Sequence, residues 1–223
     1  MGGKLLGWRT RCAVELDAYC RRVLLRRQKE GALDPFPIWD DIRTFDGMPW
    51  RSAVDVISGG FPCQDISSAG KGKGLAGDRS GLWFEMLRVI GEVRPAFVFA
   101  ENSPHLRTRG LGTIIEGLAG LGYDCRWCVL GAWHVSAPHK RNRLWLLAHP
   151  NNRRERIQPI DAEMACAPEA SKLQYIHPDW WSSHPFQGVA NGNAHRMDRV
   201  RATGNAQVPA VAATAFRLLS ERA

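Results

Sequence analysis

The most constraining stretch of the sequence is the apolar, partly β-branched run Ala53-Val54-Asp55-Val56-Ile57, followed after Ser58 by Gly59-Gly60-Phe61-Pro62-Cys63-Gln64-Asp65. The run predicts a short buried strand over 53–57. The glycines predict a sharp backbone turn with close approach to a ligand, and Pro62 fixes the chain just before a thiol. Ligands of open α/β sheets lie in the crevice beyond the carboxyl ends of the strands. Cys63 is therefore a candidate nucleophile. Free cysteine more often serves as a small buried hydrophobe, but the glycines, the proline and the flanking Gln64 and Asp65 argue against simple packing. The thiol alone names no reaction.

Helical and strand-like patterns alternate up to about residue 150, which predicts an α/β fold. Strands are expected over 11–16, 53–57, 96–100, 123–133 and 144–148, the last two as an antiparallel hairpin. Helices are expected over 17–28, with Tyr19, Cys20, Val23 and Leu24 facing inward, and over 82–93, 110–121 and 207–219. Between them lie a glycine-rich loop over 70–77 and an irregular span over 151–195 rich in Asn, Arg, Pro, His and Trp.

Charge narrows the partners. A net charge of +8 and a pI of about 9.5 suit a polyanion such as nucleic acid. Arg21, Arg22, Arg26, Arg27 and Lys29 share one predicted helix, where a solvated face is the default; Lys140, Arg141, Arg143, Arg153, Arg154 and Arg156 form a second cluster beside a strand. No run of about 18 apolar residues suggests a membrane span, and the start of the chain lacks a signal-peptide pattern, so a cytoplasmic protein is expected. Six cysteines in 223 residues do not resemble a secreted disulfide scaffold. Cys125 and Cys128 form a lone C-x-x-C without further ligands, and no metal site is expected.

Glu101 ends a predicted strand as Cys63 does, and Arg141 and Arg143 alternate onto one face before another. A thiol, a carboxyl group and guanidinium groups suit attack on an electron-poor ring: the cysteine adds, the acid protonates a ring nitrogen, and arginine steadies charge on a carbonyl oxygen.

In these residues the chain resembles the DNA (cytosine-5)-methyltransferases, of the short bacterial and phage kind. The resemblance rests on five segments in family order: Gly59 to Gln64, Asp78 to Glu85, Glu101-Asn102-Ser103, Ala137 to Arg143, and Gly204-Asn205-Ala206-Gln207-Val208-Pro209. It implies a Rossmann-like S-adenosylmethionine-dependent methyltransferase sheet, mostly parallel with a C-terminal antiparallel hairpin. A catalytic domain would occupy 1–150, a very short target-recognition region 151–195, and a returning motif and helix 196–223. The resemblance implies that the target cytosine is flipped out of double-stranded DNA. Cys63 then adds to C6, Glu101 engages N3 and the exocyclic amine, Arg143 holds O2, and Arg141 supports the catalytic loop or a phosphate. Cofactor-lining positions would be Glu15 at the ribose hydroxyls, Asp41 at the adenine amine, and Ile42, Pro62, Leu82 and Asn205. Lys71 and Lys73, with Arg141 and Arg143, would meet DNA. A monomer is expected. The family normally opens with an apolar strand and a glycine loop, whereas here Met1 stands directly before Gly2-Gly3, so the sheet is expected to be truncated at its first strand. A catalytically inactive DNA-binding remnant is the alternative.

Overall fold

A strand that is apolar on both faces has to lie inside a sheet covered on both sides, and two segments meet that demand. β4 (Phe97–Asn102) is buried at Val98, Phe99, Ala100 and Asn102, and β6 (Arg143–Pro150) at every residue but its first and last. They pair antiparallel, Val98 opposite Ala148 and Glu101 opposite Trp145. β3 (Val56–Gly60) flanks β4 in parallel, and β5 (Tyr123–Leu130) flanks β6 antiparallel, giving the order β3-β4-β6-β5. A separate parallel pair, β1 (Ala13–Val14) with β2 (Ile38–Trp39), forms a second small sheet. The computed structural model describes residues 2–61, 81–137, 139–151 and 206–220. The expectations on Pro62, Cys63, Lys71, Lys73 and Asn205, and on nearly all of 151–195, lie outside these residues.

One face of the four-stranded sheet carries α3 (Leu82–Val93) and α5 (Leu111–Gly120), the latter preceded by the short α4 (Leu106–Arg109). Trp83, Met86 and Ile90 of α3, with Ile114 and Leu118 of α5, pack on Val98, Ala100, Leu144, Leu146 and Ala148. The opposite face carries α6 (Pro209–Ser220), whose Ala210, Val211, Ala215 and Leu219 pack on Phe99, Trp145 and Leu147. The four-residue α1 (Gly2–Leu5) lies against α6, where a Cβ at Gly2 would stand 3.0 Å from the Ala212 Cβ. Val89 and Val93 of α3 also share a cluster with Val14 of β1 and Ile57 of β3. A single helix thus backs both sheets.

The structure bears out the α/β class, the 82–93 helix and the antiparallel β5–β6 hairpin. Several local expectations change. The strand placed over 53–57 is shifted to Val56–Gly60, so the glycines lie within it rather than in a turn. Their role is space: a Cβ at Gly59 would stand 3.1 Å from the Met86 Cε, and one at Gly60 3.2 Å from a Glu101 carboxylate oxygen. The strand expected over 11–16 is only two residues long. Helix α2 (Ala18–Lys29) starts on Asp17, whose carboxylate accepts from the backbone N–H groups of Tyr19 and Cys20 at 2.8 and 3.1 Å. It buries no residue, and Val23, expected to face inward, is 38% exposed. Cys125 packs with the α3–α5 cluster while Cys128 is buried on the α6 side, so the two thiols face opposite ways.

Replacing the fully buried Ile90 with alanine is expected to cost about 2–5 kcal/mol in urea unfolding. Val23→Ala, on the open side of α2, is expected to stay within about 0.5 kcal/mol.

Candidate active site

Strand parity decides which side chains meet at the top of the sheet. Phe99 and Glu101 of β4 face the same side as Arg143, Trp145 and Leu147 of β6, and the register sets Glu101 opposite Trp145, one diagonal step from Arg143. The Arg143 Nε stands 2.9 Å from the Glu101 Oε1, with the two side chains 25% and 13% exposed. The other carboxylate oxygen, Oε2, accepts from the Gln207 side-chain amide at 3.1 Å. Gly60 is the β3 residue beside Glu101 in the parallel register, and its lack of a side chain leaves that flank of the carboxylate open.

Burial pushes the Glu101 carboxyl above the ordinary carboxylate range, against the hydrogen bond from Gln207 and the positive charges of Arg143 and Arg141. The direction matters for chemistry. A carboxyl raised in this way holds a proton closer to neutral pH than a surface glutamate does. Burial, with Arg143 nearby, conversely lowers Arg141.

Arg141 reaches the site from a loop with its backbone in the left-handed region (φ 36°), and its guanidinium donates to the Ala206 carbonyl. That loop is pinned from behind. The Ala132 N–H donates to the Lys140 carbonyl at 2.8 Å, and the Trp133 indole N–H to the Asn142 Oδ1 at 3.1 Å. On the opposite face of β4, Asn102 is buried; its Nδ2 donates to the Phe61 carbonyl at 2.9 Å and its Oδ1 accepts from the Ser103 N–H at 2.7 Å. Asn102 therefore fixes the backbone two residues before Cys63.

A cavity of about 450 Å³ opens over this corner, lined by Glu101 and Gln207, the backbone at Gly59 and Gly60, Trp8 and Leu6 of the N-terminal segment, and Trp145. Its size lies within the range of small-molecule sites. Its floor is aromatic: Phe99 stacks on Trp145 at 5.3 Å, and Trp8 meets Phe216 edge-on at 4.7 Å.

The four expected cofactor residues that are described stand elsewhere. Glu15 ends β1, its Oε1 accepting from the Asp17 N–H at 2.9 Å. Asp41 caps the turn Ile42–Thr44 and pairs with Arg43 at 2.7 Å, which holds its carboxyl below the ordinary range. Ile42 packs beneath β3 with Ile57, and Leu82 opens α3. None of the four lines the cavity; among the described residues it gathers only Glu101 of those expected, with the Arg143 and Arg141 charges acting on that carboxyl. Among the described residues no group of His, Cys, Asp and Glu is arranged to hold a metal ion.

The family model for C-5 cytosine-specific DNA methylases matches residues 2–208. The chain belongs to that family. It is 30% identical over 173 residues to the Type II methyltransferase M.CviJI of Paramecium bursaria Chlorella virus IL3A, covering 77% of this chain and 44% of that protein. It is 32% identical over 143 residues to M.Eco47II of Escherichia coli, covering 62% and 33%. The chain thus spans less than half the length of these curated relatives. The crystal structure of a Spodoptera frugiperda DNMT2 mutant superposes with a TM-score of 0.57 at 17% identity, over 72% of this chain and 49% of that one, which supports the fold.

Within this candidate site, three groups were not singled out from the sequence as acting here. Gln207 was present in the quoted Gly204–Pro209 segment, and that segment was its only signal. Asn102 was visible beside Glu101, but its bond to the Phe61 carbonyl depends on β3 and β4 being neighbours. Trp8 and Phe216 come from opposite ends of the chain, so no local pattern joins them.

Asn102→Leu would leave the buried Phe61 carbonyl and the Ser103 N–H without their partner. It is expected to destabilise the protein by about 1–3 kcal/mol in denaturant titration, with little change in size or shape.

Proposed function

We propose that this chain carries the catalytic part of a DNA (cytosine-5)-methyltransferase, and that its substrate is a cytosine flipped out of double-stranded DNA. The observation that carries the reading is the Glu101 carboxyl: mostly buried, raised in pKa, flanked by Arg143 and Arg141, and set beside the strand that leads to Cys63. A stacked base would be out of reach of a carboxyl so placed, which is why flipping belongs to the proposal.

In this reading the Cys63 thiolate adds to C6 of the ring while Glu101 delivers its proton to N3. The C5–C6 π pair becomes a C4–C5 double bond, the C4–N3 π pair takes the proton at N3, and C5 of the resulting enamine is nucleophilic. Arg143, already anchored on Glu101, turns its remaining N–H groups to the cytosine O2. Arg141 holds the 206–208 segment and lends positive charge, which also favours the thiolate of Cys63. S-adenosylmethionine, when bound, supplies an electrophilic methyl group for C5, its sulfonium sulfur leaving as a neutral thioether. Loss of the C5 proton to water, return of the N3 proton to the Glu101 carboxylate and departure of the Cys63 thiolate then restore the ring. Glu15 would hold the ribose hydroxyls of the methyl donor as a double acceptor, and Asp41 its adenine amine, with Ile42, Pro62, Leu82 and Asn205 alongside. The cavity beside Glu101, which Glu15, Asp41, Ile42 and Leu82 do not line, is assigned to the flipped base.

Lys71 and Lys73 are assigned to phosphate contacts, and 151–195 to target recognition between the catalytic span 1–150 and the returning span 196–223. A monomer acting in the cytoplasm of a bacterial or phage-infected cell completes the proposal. No helix among the described residues is long and apolar enough to cross a membrane.

With labelled methyl donor and a mixed-sequence DNA duplex, transfer to cytosine is expected. Cys63→Ala should reduce it to background, and Glu101→Gln by about a hundredfold or more. DNA binding that weakens with salt, without any methyl transfer, would point instead to the inactive remnant. Binding of neither DNA nor cofactor would defeat both readings.

A further inference from the structure

Glu101 uses its two oxygens differently. Oε1 accepts from the guanidinium of Arg143. Oε2 accepts from Gln207, a neutral amide that carries both donor and acceptor atoms. Oε2 is also the oxygen nearest the open flank at Gly60, the side from which the cavity reaches the carboxyl. Gln207 itself lines that cavity and is exposed there.

The backbone around Gln207 is held at both ends. The carbonyl of the preceding residue, Ala206, accepts from Arg141. Two residues on, Pro209 opens α6, which is buried along Ala210, Val211, Ala215 and Leu219. The amide is thus delivered to Glu101 from a fixed base. Among the described residues, the charged groups facing Glu101 are Arg143 at the start of β6 and Arg141 in the loop before it; β3 presents Ser58 and glycines, and the N-terminal segment presents Gly2, Gly3, Leu6 and Trp8.

We propose that Gln207 is a positioning residue for the cytosine reaction: its side-chain amide, donating to the Glu101 Oε2, holds that oxygen toward the cavity while the carboxyl is ionised. When the base enters, N3 and the exocyclic amine take over the carboxyl, and Gln207 is released to the cavity wall. The proposal rests on the methyltransferase reading for its substrate, but not for the Gln207–Glu101 contact.

The test uses the whole chain with carbon-13 at the glutamate side-chain carboxyl, the Glu101 signal being assigned by its loss in Glu101→Gln. Gln207→Met keeps the length of the side chain and removes the donor. A donor to the ionised form lowers a carboxyl pKa, so its removal moves the Glu101 titration to higher pH. If the acid form of Glu101 is the working form, the alkaline limb of kcat/KM for methyl transfer moves the same way, and the ratio of variant to wild-type kcat/KM rises with pH. A purely structural role would lower the active fraction equally at every pH. Coincident titration curves for wild type and Gln207→Met would overturn the contact itself. A shifted titration with an unmoved rate limb would overturn its part in the reaction. A shifted titration with no methyl transfer by the wild-type chain would overturn the methyltransferase reading while leaving the contact standing.

Discussion

Everything at the candidate site depends on one diagonal pair across two antiparallel strands, Glu101 on β4 and Arg143 on β6. Taking a carboxyl out of water disfavours its charge, and the Gln207 amide with Arg143 and Arg141 does not fully offset that cost here, because the carboxyl remains raised in spite of them. The result is an acid that is held in place by charge yet is still able to carry a proton. A fully exposed pair would lose the pKa shift, and a fully buried one would lose access to a substrate. The strand end, open at Gly60, supplies both conditions.

The pair is steady because its supports are apolar and come from distant parts of the chain. Trp145 lies opposite Glu101 and stacks on Phe99; Phe99 in turn meets Phe216 of α6 and Trp8 near the N-terminus. The aromatic floor joins the N-terminal segment, the centre of the sheet and the last helix. From that floor the Ala206–Gln207 segment reaches both Arg141 and Glu101. On the other face, Asn102 ties the end of β3 to β4 and so sets where the chain stands as it leaves for Cys63. The chemistry of the site is carried by few residues, while its geometry is carried by contacts of long sequence separation.

How much of this was legible beforehand follows the same division. Helix 82–93 could be read because its apolar residues repeat at helical spacing, and the β5–β6 hairpin because two apolar runs lie close in sequence. Glu101, Arg141 and Arg143 were legible as a group through their positions at strand ends and through the family resemblance. The two glycines were misread because a sequence tells that a side chain is missing, not whether a turn or a neighbour requires it; here Met86 and Glu101 are the neighbours. Val23 was misread because α2 buries no residue, so its apolar pattern is not matched by a covering layer among the described residues. Gln207 could not be assigned a partner 106 positions away without the fold.

The most direct measurement of the account is covalent capture of the protein on a DNA duplex in which the target cytosine is replaced by 5-fluorocytosine, with methyl donor present. After thiol addition and methylation, C5 bears fluorine in place of the proton that must leave, so the adduct cannot break down. The account predicts an adduct mapped by mass spectrometry to the Cys63 peptide, absent in Cys63→Ala and formed about a hundredfold more slowly in Glu101→Gln. An adduct on another residue, or one that forms in Glu101→Gln as fast as in the wild type, would contradict the claim that the buried Glu101 carboxyl drives addition of the thiol.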